Sequence, residues 1–306
     1  MDLDEIEKDL LRQIADISGI PEGAYNFRVN GKSIGRNSTA KIEVELRTDK
    51  SGLDIKVKPG TKKDVVHIPV IISKSGYKET VYNDFYIGDD SEVTIVAGCG
   101  IYNCGAESSI HDGIHVFHIG KNCKVKYIEK HYGTGPSTGK ILNPTTELYL
   151  QENSYAELEL EQFAGVDSTN RLTKAALEKN AKINIVEKLL THGRQVAKSN
   201  IEVDLNGENS TTDIVSRSVA RDVSKQDFRL HITGKTTCRG HSECDAIIAD
   251  DAKVMATPSL NAESLNAELI HEAAIGKIAG VEINKLMTLG LTSTEAEAQI
   301  INGFLK

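Results

Sequence analysis

In GKNCKVKYIEKHYG, residues 120–133, an asparagine, a small residue and a variable residue lead into KVKYI (124–128), where polar and apolar side chains alternate. Alternation over about five residues marks a strand with one buried face. The same phrase recurs at Asp90-Ser91, Asn122-Cys123, Asn153-Ser154, Asn180-Ala181, Asn209-Ser210, Asp251-Ala252 and Asn266-Ala267. Asparagine and aspartate enter the left-handed backbone region at little cost, so they turn a chain sharply. A small residue next in line fits the inside of a tight corner. The intervals from 90 to 122, 122 to 153, 153 to 180 and 180 to 209 are all near thirty residues. A turn-plus-strand unit repeated at such a period defines a solenoid. In an all-β chain that solenoid is a parallel β-helix, each strand pairing with its counterpart one coil away. A large antiparallel sandwich also has short, evenly spaced strands; the phased corner favours the β-helix.

Outward from these corners, period-two runs continue through Ile42, Val44 and Leu46, through Leu53, Ile55 and Val57, and through ELELE (157–161), KINIV (182–186), IEVDL (201–205) and FRLHI (228–232). The acidic residues of such runs mostly occupy the outward phase. Ahead of them, Leu3, Ile6, Leu10, Ile14 and Ile17 have helical spacing, with acidic residues opposing the helix dipole in the first turn, and Gly19, Pro21 and Gly23 end the helix. Behind them, Thr292 and Glu295 fit a capping box, and Ala296, Ile300, Ile301 and Phe304 form one apolar face. A shorter helix over about 282–289 precedes it, with Gly290 as the break. The expected organisation is a helix and linker over 1–36, a β-helix over 37–274 and a helical pair over 275–306. That pair either caps the last coil or docks a partner, through Leu286, Met287, Leu289, Ile300, Ile301 and Phe304.

Of the 306 residues, 39% are hydrophobic and 5% aromatic, with no tryptophan, which suits thin layers of small and branched side chains. A formal charge of −8 argues against nucleic acid as a partner, since phosphate neutralisation needs a basic stripe. No apolar run nears the ~20 residues that cross a bilayer, so no membrane span is expected. The acidic, amphipathic start differs from a secretory signal, and the expected compartment is the cytoplasm, where thiols stay reduced. Five cysteines there are buried filler, metal ligands or reactive groups.

GTGPSTGKI (133–141) approaches a phosphate loop, but Thr134 replaces the required glycine and Ile141 the magnesium-binding hydroxyl. Three groups remain. Cys238-Arg-Gly-His241-Ser-Glu-Cys244, followed by Asp245, offers the thiolate and imidazole donors that suit zinc, iron or an iron–sulfur cluster. Cys99-x4-Cys104 is followed by His111, His115 and His118, of which the first two share a strand face and the third has opposite parity. His271-Glu272 interrupts an apolar stretch near the end of the strand array. Ordinary strand-surface histidines and core cysteines are the plain alternative for each.

At these residues the chain resembles the SufB/SufD proteins of iron–sulfur cluster assembly. The resemblance is clearest in HSECDAIIADDAKVMATPSLNAESLNAELIHEAAIGKI (241–278), then in AEAQIINGF (296–304), IVAGCG (95–100) and GKNCKVKYIEKHYG (120–133). It implies a right-handed parallel β-helix, a C-terminal helical pair that binds the SufC-type ABC ATPase, and nascent clusters formed at a subunit interface. On that resemblance Cys244 falls on a cluster-ligand cysteine of SufB, with His271 and Glu272 beside it; Cys99, Cys104, Cys238, His115 and His241 are further candidates. Retention of Cys244 makes the chain SufB-like, in a short form for which a homodimer with two ATPases is the natural expectation. A transient cluster, 2Fe–2S or 4Fe–4S, a sulfur donor and acceptor apo-proteins follow as expected cargo and partners, with ATP hydrolysis in the partner. An adaptor that recruits the ATPase without holding a cluster is the alternative, and a carbohydrate-active β-helix ranks last.

Overall fold

The computed structural model describes residues 3–305. Its strands form a parallel β-solenoid of about eight turns, each turn placing one strand in each of two sheets. In the first sheet Glu92–Tyr102, Lys124–Thr134, Tyr155–Ala164, Lys182–Thr191, Ser210–Ala220, Cys238–Ile248 and Ala267–Gly276 stack in that order. In the second, Lys78–Ile87, Ser109–Ile119, Ser168–Leu177, Val196–Leu205, Lys225–Gly234 and Lys253–Ala262 do so, with Lys140–Leu142 and Thr145–Leu150 sharing one rung. Register is kept rung by rung: Lys182 to Thr191 pair with Thr211 to Ala220 without a slip. Inward phases such as Leu158, Leu160, Ile183 and Ile185 are buried, and Glu157, Glu159 and Glu161 point outward.

The corners explain the period. Asp90, Asn122, Asn153, Asn180 and Asn209 all have φ between 56° and 60°. Each asparagine amide donates to the side-chain oxygen one coil before it, from Asn122 to Asp90 at 3.0 Å through Asn209 to Asn180 at 3.2 Å. The small residues after them, Ser91, Cys123, Ser154, Ala181 and Ser210, are at most 1% exposed. Cys123 is therefore corner filler, its thiol donating to the Gly88 carbonyl at 3.2 Å. Two expected corners differ. Asn266 is not left-handed, and near Asp251 it is Asp250 that turns, with φ 57°, at the opposite corner of the coil, where Asp222 matches it. The two kinds of corner share one local chemistry, which is why the phrase alone does not separate them. Asn153→Ala removes two rungs of this ladder and puts a Cβ-bearing apolar residue in the left-handed region. The expected loss is about 2 kcal/mol in urea unfolding, most of the strain part returning in Asn153→Gly. A loss below the error of the measurement would show the ladder to be incidental.

The N-terminal end is closed. Helix α1 (Glu5–Ala15), shorter than the apolar spacing suggested, starts at an Asp4–Glu7 capping box and stops at left-handed Asp16. It buries Leu10, Leu11 and Ile14 with Phe27, Val29 and Ile71, and sits so near the Glu92–Tyr102 strand that a Cβ on Gly98 would lie 2.7 Å from the Ile14 carbonyl oxygen. The span read as linker contains an antiparallel hairpin, Ala24–Val29 with Lys32–Asn37, and a second hairpin joins Ile42–Leu46 to Gly52–Val57. These hairpins end the solenoid on that side.

The C-terminal end is open. Lys253–Ala262 and Ala267–Gly276 are the last strands of their sheets, and no further strand pairs with either among the described residues. Met255, Leu260, Ile270 and Ile275 stand 39–50% exposed there. The helices that follow, α2 (Gly280–Met287) and α3 (Ser293–Phe304), lie elsewhere. The Thr292–Glu295 capping box is present, and α3 seats Ile301 and Leu305 against Val219, beside Phe163, Leu190 and Ile247 on the outer face of the first sheet. No residue of α2 is buried. No described helix is long and apolar enough to cross a membrane.

Candidate functional site

The strand Cys238–Ile248 lies one coil from the open end. Cys238, Gly240, Ser242, Cys244 and Ala246 face the interior; Arg239, His241, Glu243 and Asp245 face outward. The C-x-x-H-x-x-C run therefore does not converge on one metal. Its histidine is on the opposite face, with Nδ1 2.7 Å from the Asp213 carboxylate, and its cysteines are ~20 Å apart along the strand. The second segment divides likewise. Cys99, His111 and His115 are buried inside, and Cys104 is exposed on a loop beside Ser75. His118 stacks outside between Tyr86 and Tyr149, with ring centroids 5.1 and 5.6 Å apart. The phosphate-loop lookalike is structural, since Lys140 is buried with Nζ 3.2 Å from Asp167.

The last strand completes the arrangement. His271 is level with Ser242, Glu272 with Glu243 and Ala273 with Cys244. His271 thus shares the interior face with Cys244; its Nδ1 lies 2.8 Å from Ser242 Oγ, and its Nε2 is buried with no hydrogen-bond partner among the described residues. Glu272 points the other way, onto the outer face at the edge. Among the described residues no group of three or more histidines, cysteines or carboxylates is assembled to hold a metal within one chain. Burial, then the charges of Glu187 and Asp245, push the Cys244 thiol up to about 12. In the isolated chain this sulfur is a neutral thiol, and a metal must displace its proton.

Sequence reasoning missed a charged column inside the solenoid. Ser216 is the rung neighbour of Cys244, and Glu187 that of Ser216. The Glu187 carboxylate accepts from Ser216 Oγ at 3.2 Å and Ser199 Oγ at 2.6 Å, with Arg171 Nε 3.6 Å away. Arg171 also donates to Glu129 and, at 3.2 Å, to His131 Nδ1. Tyr127 donates to Glu129 at 2.8 Å, and His115 Nδ1 donates to the Tyr127 hydroxyl at 2.7 Å. The Leu53 N–H orients Asn83 so that its amide nitrogen faces His115 Nε2 at 3.2 Å, which assigns the neutral Nδ1–H tautomer to His115. Burial would raise Glu129, but the Arg171 guanidinium, by its charge and its hydrogen bond, holds it far below the usual carboxylate range. Burial drives His115 down to about 4 and His131 to about 3. The available signal was a charge at inward phase: Glu129 follows Val125 and Tyr127, and Glu187 follows Ile183 and Ile185.

A parallel β-solenoid with a thiol and an imidazole inside its open end defines a class, and comparison with known proteins identifies it. Residues 78–304 match the family described as SUF system FeS cluster assembly, SufBD core domain. An iron–sulfur cluster assembly SufBD family protein of Archaeoglobus fulgidus is 30% identical over 84% of this chain and 69% of its own length. One of Methanocaldococcus jannaschii is 29% identical over 81% of this chain and 79% of its own, and one of Pyrococcus horikoshii 27% identical over 98% and 94%. The chain belongs to the SufBD family of iron–sulfur cluster assembly proteins.

Of the six residues expected to meet a partner, Met287 and Leu289 are exposed and Leu286, Ile300 and Phe304 half-buried. Ile301 is buried. It is spent on seating α3 against the solenoid, because that face of the helix needs cover whether or not a partner binds.

Proposed function

We propose that this chain is a scaffold on which nascent iron–sulfur clusters are built, at a seam between two copies joined through their open last coils. An ABC-type ATPase would dock on the C-terminal helical pair. The observation that carries this reading is the uncapped last coil, with His271 on it and Cys244 one coil behind, both facing inward. Two edge strands with unpaired backbone groups and exposed apolar side chains need a cover, and a second copy supplies one with the same chemistry. A twofold seam brings two sets of thiol, imidazole and carboxylate to one place, so each chain contributes half a ligand set. A mixed set of sulfur, nitrogen and oxygen donors holds iron more loosely than four thiolates, which suits a cluster that must be passed to an acceptor apo-protein. Helix α2, with no buried residue, and the turn after it offer Met287 and Leu289 to the ATPase, and a sulfur donor completes the system.

The test is anaerobic reconstitution with ferrous iron and sulfide, followed by visible absorption and iron and sulfide analysis. Cys244→Ala is expected to lose at least nine-tenths of the bound cluster while remaining folded. Full uptake by that variant would support instead an adaptor that recruits the ATPase and holds no cluster.

A further inference from the structure

Among the described residues the last strand, Ala267–Gly276, has a ladder on one side only, to Cys238–Ile248. A strand held from one side frays from its end, and a slip of one residue sends every side chain to the opposite face. Such a slip would turn His271 outward and Glu272 inward. Among the described residues, two side-chain hydrogen bonds pin this strand: Ser242 Oγ with His271 Nδ1 at 2.8 Å, and Asp245 Oδ1 accepting the Ala274 N–H at 3.1 Å. They lie on opposite faces and bracket Cys244 along its strand. Asp245 is the one placed towards the free end, past Glu272.

The same aspartate stands where the C-terminal helices reach the site. Its rung neighbour one coil in is Arg217, whose Nη1 donates to the Phe304 carbonyl at the end of α3 at 3.5 Å. Further along that strand Arg221 pairs with Glu297 of α3 at 3.0 Å. Ile247, two residues beyond Asp245, packs in the cluster that seats Ile301 and Leu305.

We propose that Asp245 is a positioning residue, a clasp that keeps the terminal strand in register so that His271 and Glu272 stay level with Cys244. The proposal rests on the scaffold reading above for its functional meaning, but its structural content stands alone. The clasp needs an oxygen acceptor and no negative charge, so Asp245→Asn retains it and Asp245→Ala removes it.

The experiment pairs amide hydrogen exchange with anaerobic cluster reconstitution on the full chain. In Asp245→Ala, exchange over residues 270–276 is expected to speed up at least tenfold and cluster content to fall several-fold. Exchange in Lys182–Thr191 stays at the wild-type rate, which certifies the fold. Asp245→Asn keeps both properties near wild type. Unchanged exchange in Asp245→Ala overturns the clasp, and so does an asparagine variant that loses cluster as fully as alanine, since that outcome marks the carboxylate as a ligand. If Cys244→Ala loads normally, the scaffold reading fails by itself and the exchange data still decide the clasp.

Discussion

Replacing Arg171 by methionine is expected to destabilise the chain by about 3–5 kcal/mol, the usual cost of stranding buried charge. The guanidinium is 5% exposed and serves Glu129 directly, Glu187 at 3.6 Å and His131 at 3.2 Å. Methionine fills the space and leaves two carboxylates facing the interior without their cation. The size of the effect comes from what is left behind, so neutralising those groups should undo it. Arg171→Met combined with Glu129→Gln and Glu187→Gln is expected to recover more than half of the loss. Urea unfolding at pH 7 measures both; a single-variant cost under about 1 kcal/mol would mean that water already solvates the column.

Lowering the pH from 7 to 5 is expected to remove about 4 kcal/mol of folding stability through His115 and His131, about 2 kcal/mol each. Both are neutral in the fold, with values near 4 and 3 against an ordinary 6.5. Below 6.5 the unfolded chain takes up protons that the folded chain refuses until pH nears 4. Their contribution is therefore complete above 6.5 and declines as pH falls. The geometry shows why protonation is refused: His115 Nε2 already faces an Asn83 amide donor, and His131 Nδ1 accepts from the Arg171 cation. Glu129, held low by Arg171, extends the loss below about pH 4.5, where its unfolded form protonates. Stability measured in steps between pH 7 and 5 should fall with a slope approaching two protons. His115→Gln should halve that slope, and a flat profile over this window would refute the assignment.

These two effects belong to the part of the molecule hardest to anticipate. Glu129, Arg171 and Glu187 each occupy an inward position in an alternating run, and that much is visible along the chain. Their partnership is not, because Glu129 and Glu187 belong to strands of one sheet and Arg171 to a strand of the other. Charges that look misplaced singly are paired across the solenoid interior. Parity on a single strand was legible in the same way: Cys238 and Cys244 share a face and His241 takes the other. The facing of His271 towards Cys244 required the register of two strands 29 residues apart, as in the Ser242–His271 bond.

The coil period, the left-handed asparagine corners, the outward acidic phase and the Thr292–Glu295 capping box were written in the chain, because each depends on a residue's own backbone preference or on neighbours within one turn. Tertiary structure alone decided that hairpins close one end of the solenoid and that no strand among the described residues closes the other. It also decided that Cys244 and His271 look inward at that opening while Glu272 looks out. The division is physical: corners and caps are settled by local energies, and the open end and its facing side chains arise only when distant strands stack in one register.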